Sequence, residues 1–215
     1  MDLSWLLGQV PGPIFYLLLG LLVGVESIGI PVPGETAIIA STLAAHHPAA
    51  SFGPVGIALA AITGAVVGDS IGYWIGREKG DSLLRFMNRH FPRHVTPAHI
   101  GWARDLMRRY GAGAVFGGRF VALLRMLAGP LAGMMGMHYP TFLAANIAGG
   151  ICWAGGTVAL VWVLGAVAET WLKRAGWILL GLVALVAVLG ARTMNRRIQA
   201  DVERWAAEHP DRLTI

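Results

Sequence analysis

The chain has 215 residues, 55% of them hydrophobic and 13% charged, with a net charge of +5, and its mean hydropathy is +0.60. A soluble domain carries about 25% charged residues, so this composition excludes an ordinary soluble fold and points to lipid as the solvent. A single cysteine, Cys152, excludes an internal disulfide framework and a thiolate metal cluster within one chain.

The charge is unevenly placed. Residues 1–76 contain no Lys or Arg, whereas Arg77, Lys79, Arg85, Arg89, Arg93, Arg104, Arg108 and Arg109 crowd one linker and Arg192, Arg196, Arg197, Arg204 and Arg212 crowd the C-terminal end. Basic loops stay on the cytoplasmic side, which puts both segments inside and makes a nucleic-acid partner unexpected. Asp2 and the lack of a basic stretch before the first apolar segment argue that this segment is kept rather than cleaved.

In chain order, a single membrane domain is expected over 1–191. Residues 13–45 are apolar but interrupted by Gly29, Pro31, Pro33 and Gly34. Each Pro removes a backbone donor and clashes one turn back, and broken backbone at membrane depth survives only inside protein or along a wet cavity; the segment therefore reads as a re-entrant hairpin. Residues 57–76 form a first span, long enough for a hydrocarbon core of about 30 Å. It repeats a small residue at every fourth position, Gly56, Ala60, Gly64, Gly68, Gly72 and Gly76, the pattern that lets another helix come close.

The basic linker 77–110, with Pro92 and Pro97, reads as short amphipathic helices on the cytoplasmic interface. Residues 112–137 carry Arg119 and Arg125 ahead of Gly129, Pro130 and Gly133 and predict a second re-entrant hairpin. Spans over 141–164 and 176–191 follow, separated by a short outside loop with Glu169, Lys173 and Arg174, and residues 192–215 form a cytoplasmic tail. The fold class is thus an all-α polytopic membrane protein in which hairpin plus span occurs twice in opposite orientations, with one further C-terminal span. Interrupted segments at matching places in two halves are the mark of a transport site near the midplane.

Four ionisable residues, Glu26, Glu35, Arg119 and Arg125, lie deep in apolar sequence, where each costs about 2.5–3.5 kcal/mol on insertion scales. A salt-bridged brace explains such charges in one way and a substrate pathway in another. Glu26 and Glu35 are nine residues apart, and only a fold-back between them brings both to one cavity; there, burial and a neighbouring cation act in opposite senses on the carboxyl proton, which suits a proton relay. Arg119 and Arg125 are six apart, about 120° around and 9 Å along an unbroken helix, so a joint clamp needs a break. Either guanidinium can fork onto phosphate oxygens, a geometry Lys lacks.

Asp69, Tyr73 and Arg77 share one face of the first span, with Asp69 expected to be buried and Arg77 to anchor at the interface. Asn146 is expected to hydrogen-bond between helices. His46 and His47 lack a third ligand, so neither metal nor cofactor is expected. Trp153, Trp162, Trp171 and Trp177 read as ordinary interfacial or packing tryptophans. No nucleophile elbow, phosphate loop or zinc-protease helix occurs, and enzymatic activity is not expected.

Glu26 followed by Pro-Val-Pro-Gly-Glu from Pro31, then Gly-Asp-Ser-Ile-Gly-Tyr-Trp-Ile-Gly-Arg from Gly68, then Gly-Gly-Arg-Phe-Val-Ala-Leu-Leu-Arg from Gly117 with Ala-Gly-Pro-Leu-Ala-Gly from Ala128, resembles the DedA (VTT-domain) family over residues 13–165. The resemblance implies an inner-membrane protein of envelope homeostasis with paired re-entrant hairpins, some of whose relatives move undecaprenyl phosphate or other phospholipids. It implies Glu26 and Glu35 as the essential acids and Arg119 and Arg125 as the essential bases. Phosphatidylethanolamine scrambling, a membrane-bound phosphatase and a non-transporting scaffold are the alternatives, and oligomeric state is open.

Overall fold

The computed structural model describes residues 11–30, 32–90, 96–171 and 176–210. Among them every regular element is helical: α1 Gly12–Ile28, α2 Gly34–Ala44, α3 Pro54–His90, α4 Pro97–Tyr110, α5 Ala112–Gly118, α6 Ala122–Met134, α7 Tyr139–Gly150, a π-helical turn Ile151–Gly155, α8 Gly156–Trp171 and α9 Gly176–Glu208. Expectations that rest on Asp2, Pro31, Pro92, Arg93, Lys173, Arg174 and Arg212 fall outside the described residues.

The first interruption lies where the Pro and Gly residues place it. Gly29 takes φ 116°, a left-handed conformation that terminates α1, and its N–H bonds the Glu26 carbonyl; only glycine adopts this without a Cβ penalty. The chain then doubles back. A Cβ on Gly34, at the start of α2, would lie 3.5 Å from the Cα of Val23 in α1, while after α2 Phe52 stacks on Phe15 at 3.8 Å and the Gly53 N–H reaches the Tyr16 hydroxyl at 2.9 Å. α1 and α2 are therefore an antiparallel pair, of 17 and 11 residues.

α3 is the spine of the fold. Its small-residue stripe receives α1 on one side, running parallel to it: Tyr16 lies on Gly56, Gly20 on Ala60 and Gly64, Gly24 on Gly64 and Gly68. A Cβ added at Gly64 or Gly68 would stand 2.9 Å from the Cα of Gly20 or Gly24, so the two backbones touch with no side chain between them. α6 packs on α3 the same way, Gly129 against the Asp69 carbonyl and Gly133 against Tyr73 and Arg77. Both contacts need glycine for close approach.

The second interruption is displaced from the expected one. Pro130 sits inside α6, its ring packed on the bare backbone at Gly72, and the chain breaks instead at Arg119–Val121 between α5 and α6. A proline in a helix needs room for its ring and tolerance of a missing donor, and the glycine surface of α3 provides the room. The linker expectation also changes: α3 continues past Arg77 to His90, kinked at Lys79, and only α4 forms a separate amphipathic helix, capped by the Thr96 side chain. The stretch expected as a C-terminal span and the beginning of the expected tail form one helix, α9, that ends at Glu208 and docks on α4, where Trp205 lies against Gly101 and donates to Asp105 at 2.7 Å.

Two helical stretches among the described residues are long and apolar enough to cross a bilayer, Pro54–Gly80 and Tyr139–Gly165, each 27 residues. They run antiparallel, since Val66 meets Asn146 while Tyr73 stacks on Phe142 and meets Tyr139 at a tilt. A broken helix pair followed by a long helix thus occurs twice, the long helices pointing opposite ways.

Candidate functional site

The fold brings the buried charges together in two adjoining clusters. In the first, the break that ends α1 and the start of α2 carry Glu26 and Glu35, and α6 carries Arg125. Arg125 Nη2 bonds Glu26 Oε1 at 2.6 Å and Nη1 reaches Glu35 Oε2 at 3.5 Å. The doubling-back of the chain at Gly29 does what the nine-residue spacing alone does not: both carboxylates face one guanidinium. Their settings differ, since the side chain of Glu26 is 11% exposed and that of Glu35 is 52% exposed. Glu35 is the open edge of an otherwise buried cluster.

In the second cluster Arg119, fully buried, lies at the break between α5 and α6. Its guanidinium bonds Asp69 Oδ2 and Asn146 Oδ1, with Nε on Asn146 Oδ1 at 3.1 Å and Nη2 on the Ala65 carbonyl at 3.2 Å. Asn146 in turn donates to the Val66 carbonyl at 3.2 Å. The two long helices are therefore tied to each other and to the second break through one side chain. Arg119 and Arg125 do not converge on a shared clamp, and Arg119 meets neither glutamate: its acid is Asp69, buried as its sequence setting suggested. The clusters adjoin because α6 rests on α3 at Asp69, one turn beyond Arg125 at Gly129.

Four buried polar atoms have no hydrogen-bond partner among the described residues: Glu26 Oε2, Asp69 Oδ1, Arg119 Nη1 and Arg125 Nε. Each cluster thus keeps one spare acceptor and one spare donor. Polar groups at such depth are normally satisfied, so these atoms mark where a further polar species fits.

Tyr73 and Arg77 stand apart from both clusters. The Tyr73 hydroxyl donates to the Met137 carbonyl and accepts from Arg77 Nη1 at 2.8 Å, and the exposed Arg77 leans over the Trp74 ring at 5.9 Å, in keeping with an anchoring role. His46 turns its ring nitrogens to the carbonyls of Thr42, at 3.3 Å, and Trp162, at 3.1 Å, joining α2 to α8. Trp153 departs from its sequence reading: it is 7% exposed and covers Arg125, 4.5 Å from guanidinium carbon to ring centroid. An isolated Trp in an apolar run gives no sign of such a partner.

The family model for the VTT domain matches residues 30–163. The chain belongs to the VTT-domain (DedA) family. The match takes in Glu35, Asp69, Arg119, Arg125, Asn146 and Trp153 and begins just after Glu26. An uncharacterized membrane protein of Mycobacterium tuberculosis is 47% identical over 209 residues, 97% of this chain and 96% of the relative. One from Mycobacterium leprae is 45% identical over 212 residues, 99% of each chain, and one from Synechocystis is 37% identical over 197 residues, 87% of this chain and 88% of the relative. No solved structure gives a significant match. With membrane proteins as relatives and two helices among the described residues long and apolar enough to cross a bilayer, this DedA-family chain is a membrane protein.

Proposed function

We propose that this protein moves a lipid with a phosphate head group, undecaprenyl phosphate first among candidates, across the cytoplasmic membrane in exchange with protons, and that it performs no covalent chemistry on it. The observation that carries the reading is Arg125, held by two carboxylates of which one is half exposed. A phosphate and a carboxylate satisfy the same guanidinium donors, and a buried Arg left unpaired is costly, so the two anions alternate on Arg125. The contact nearest the open edge, to Glu35, is also the longer one, and it is the first to be exchanged. Three carboxylates, Glu26, Glu35 and Asp69, face two guanidinium groups; one proton balances that excess, and a second leaves Arg125 in need of an anion.

In this reading α1–α2 and α5–α6 are re-entrant hairpins entering from opposite faces. At about 1.5 Å per residue, the 11 residues of α2 are well short of a bilayer core of about 30 Å. The basic stretch Arg77–Arg109 and the tail from Arg192 are cytoplasmic. With Cys152 replaced by Ser, single cysteines in either segment are expected to resist an impermeant thiol reagent added to intact cells and to react after lysis. Labelling of both in intact cells overturns the orientation.

The transport reading is tested with labelled undecaprenyl phosphate in vesicles, with leaflet distribution as the readout and an imposed pH difference as the driving force. The wild-type protein is expected to raise flux without releasing inorganic phosphate, and the pH difference to bias its direction. Glu35→Gln and Glu26→Gln, which imitate the protonated acids, are expected to bind the lipid while losing the response to the pH difference. Full gradient-dependent flux in both variants makes the carboxylates structural and moves proton coupling to Asp69 or removes it.

A further inference from the structure

Arg125 has one neighbour of a different kind from the glutamates. Trp153 presents its ring face to Arg125, whose guanidinium carbon lies over it, 4.5 Å from the centroid, and is 7% exposed. The donors of a guanidinium all lie in its plane, and its faces carry none. Glu26 and Glu35 accept from Nη2 and Nη1, whereas the indole offers a π face and no anionic oxygen.

The placement of this ring is built into the second long helix. Asn146, which binds Arg119, and Trp153 are seven residues apart, nearly two α turns, so one helix face serves both arginines. At Trp153 itself the helix opens into the π-helical turn Ile151–Gly155, a form that occurs mostly as single turns and frequently at functional sites. Within it Ile151 and Cys152 are exposed while Trp153 and Ala154 are buried side by side, and the Thr157 hydroxyl braces the turn by donating to the Trp153 carbonyl at 2.7 Å.

Resting on the transport reading above, we propose that Trp153 is a positioning residue of the anion site, which holds the Arg125 guanidinium in place while its hydrogen-bond partners change from carboxylate to the phosphate of the lipid. An uncharged aromatic face suits this task because it attracts the cation and, having no anionic oxygen, does not compete with phosphate for the N–H donors. An aspartate or glutamate in its place neutralises Arg125 and closes the site to anions. An aliphatic residue leaves the cation against hydrocarbon whenever the glutamates let go.

The test introduces mono-, di-, tri- and tetrafluorotryptophan at position 153 by site-directed incorporation, with the other tryptophans unchanged. Fluorine drains charge from the ring face and barely alters its shape, so a purely structural tryptophan does not respond in order. Flux of labelled undecaprenyl phosphate is expected to fall stepwise with each fluorine, reaching about tenfold at the end of the series. Trp153→Phe is expected to keep most of the flux and Trp153→Leu to lose it. A flat fluorine series alongside normal wild-type flux overturns the role of Trp153 and leaves the transport reading standing. Wild-type protein that moves no phosphate lipid overturns the transport reading, and this inference with it. Should Trp153→Leu fail to fold, the fluorine series alone decides.

Discussion

Arg119→Met, made with Asp69 left in place, is expected to destabilise the protein by about 3–5 kcal/mol, the usual result of removing one partner of a buried ion pair. The pair has nothing to soften the loss. The side chains of Arg119 and Asp69 are 0% and 1% exposed, and removal of the guanidinium also strips Asn146 Oδ1 and the Ala65 carbonyl of their donor. Arg119→Met combined with Asp69→Leu is expected to recover most of the loss, because apolar residues of similar volume often replace a buried pair without penalty. Thermal unfolding of the wild type and the two variants in detergent measures this. A single variant within about 1 kcal/mol of wild type, or a double variant worse than the single, contradicts the brace. The double variant also separates two roles for Arg119: as a brace it is dispensable for flux once the pair is replaced, and as a phosphate ligand it is not.

Arg125→Lys keeps the charge and is nevertheless expected to reduce phosphate-lipid flux by about a hundredfold, the worth of one or two charge-assisted hydrogen bonds. Lys offers a point charge on a flexible stem. It lacks the planar fork that reaches Glu26 and Glu35 from separate nitrogens, and its ammonium is more strongly hydrated than the guanidinium that Trp153 covers. Vesicle flux with the variant reconstituted at matched protein content is the measurement. Flux equal to wild type rules out fork recognition at this position and leaves a plain electrostatic role. Arg119→Lys bears less on the phosphate, since Arg119 is fully buried behind Asp69, Asn146 and the Ala65 carbonyl and has no half-exposed partner of the kind Glu35 is to Arg125.

The first broken helix pair was legible in the sequence because its cause is local: Gly29, Pro33 and Gly34 act on their own backbone. Glu26 and Glu35 were legible for the same reason, as charges that have no place in an apolar segment unless a fold-back joins them. The second break was misplaced because its cause is distant. Pro130 stays helical thanks to Gly72, in another helix, and the chain opens at Arg119, whose partners Asp69 and Asn146 lie 50 and 27 residues away. Hydropathy also missed that Arg119 and Arg125 belong to different acids, since charge content says which groups need partners and not which partners they find. Trp153 was read by residue type alone, and its role depends on Arg125 standing beneath it.

The small-residue stripe of α3 has a consequence for how the helices are indexed against one another. Gly56, Ala60, Gly64, Gly68, Gly72 and Gly76 repeat every four residues, and α1 answers with Gly20 and Gly24 at the same interval. Displaced along α3 by one turn, about 5.4 Å, α1 meets nearly the same profile again. Interlocking side chains normally give a helix interface one preferred register; a smooth rail grades its registers only weakly. The index is set by the Tyr16 hydroxyl on the Gly53 N–H at the head of α3, by the Glu26–Arg125 bond that ties α1 to α6 and by the glycine contacts that seat α6 on α3. The charges that exchange partners on Arg125 are thus also among the pins that hold a low-relief track in place.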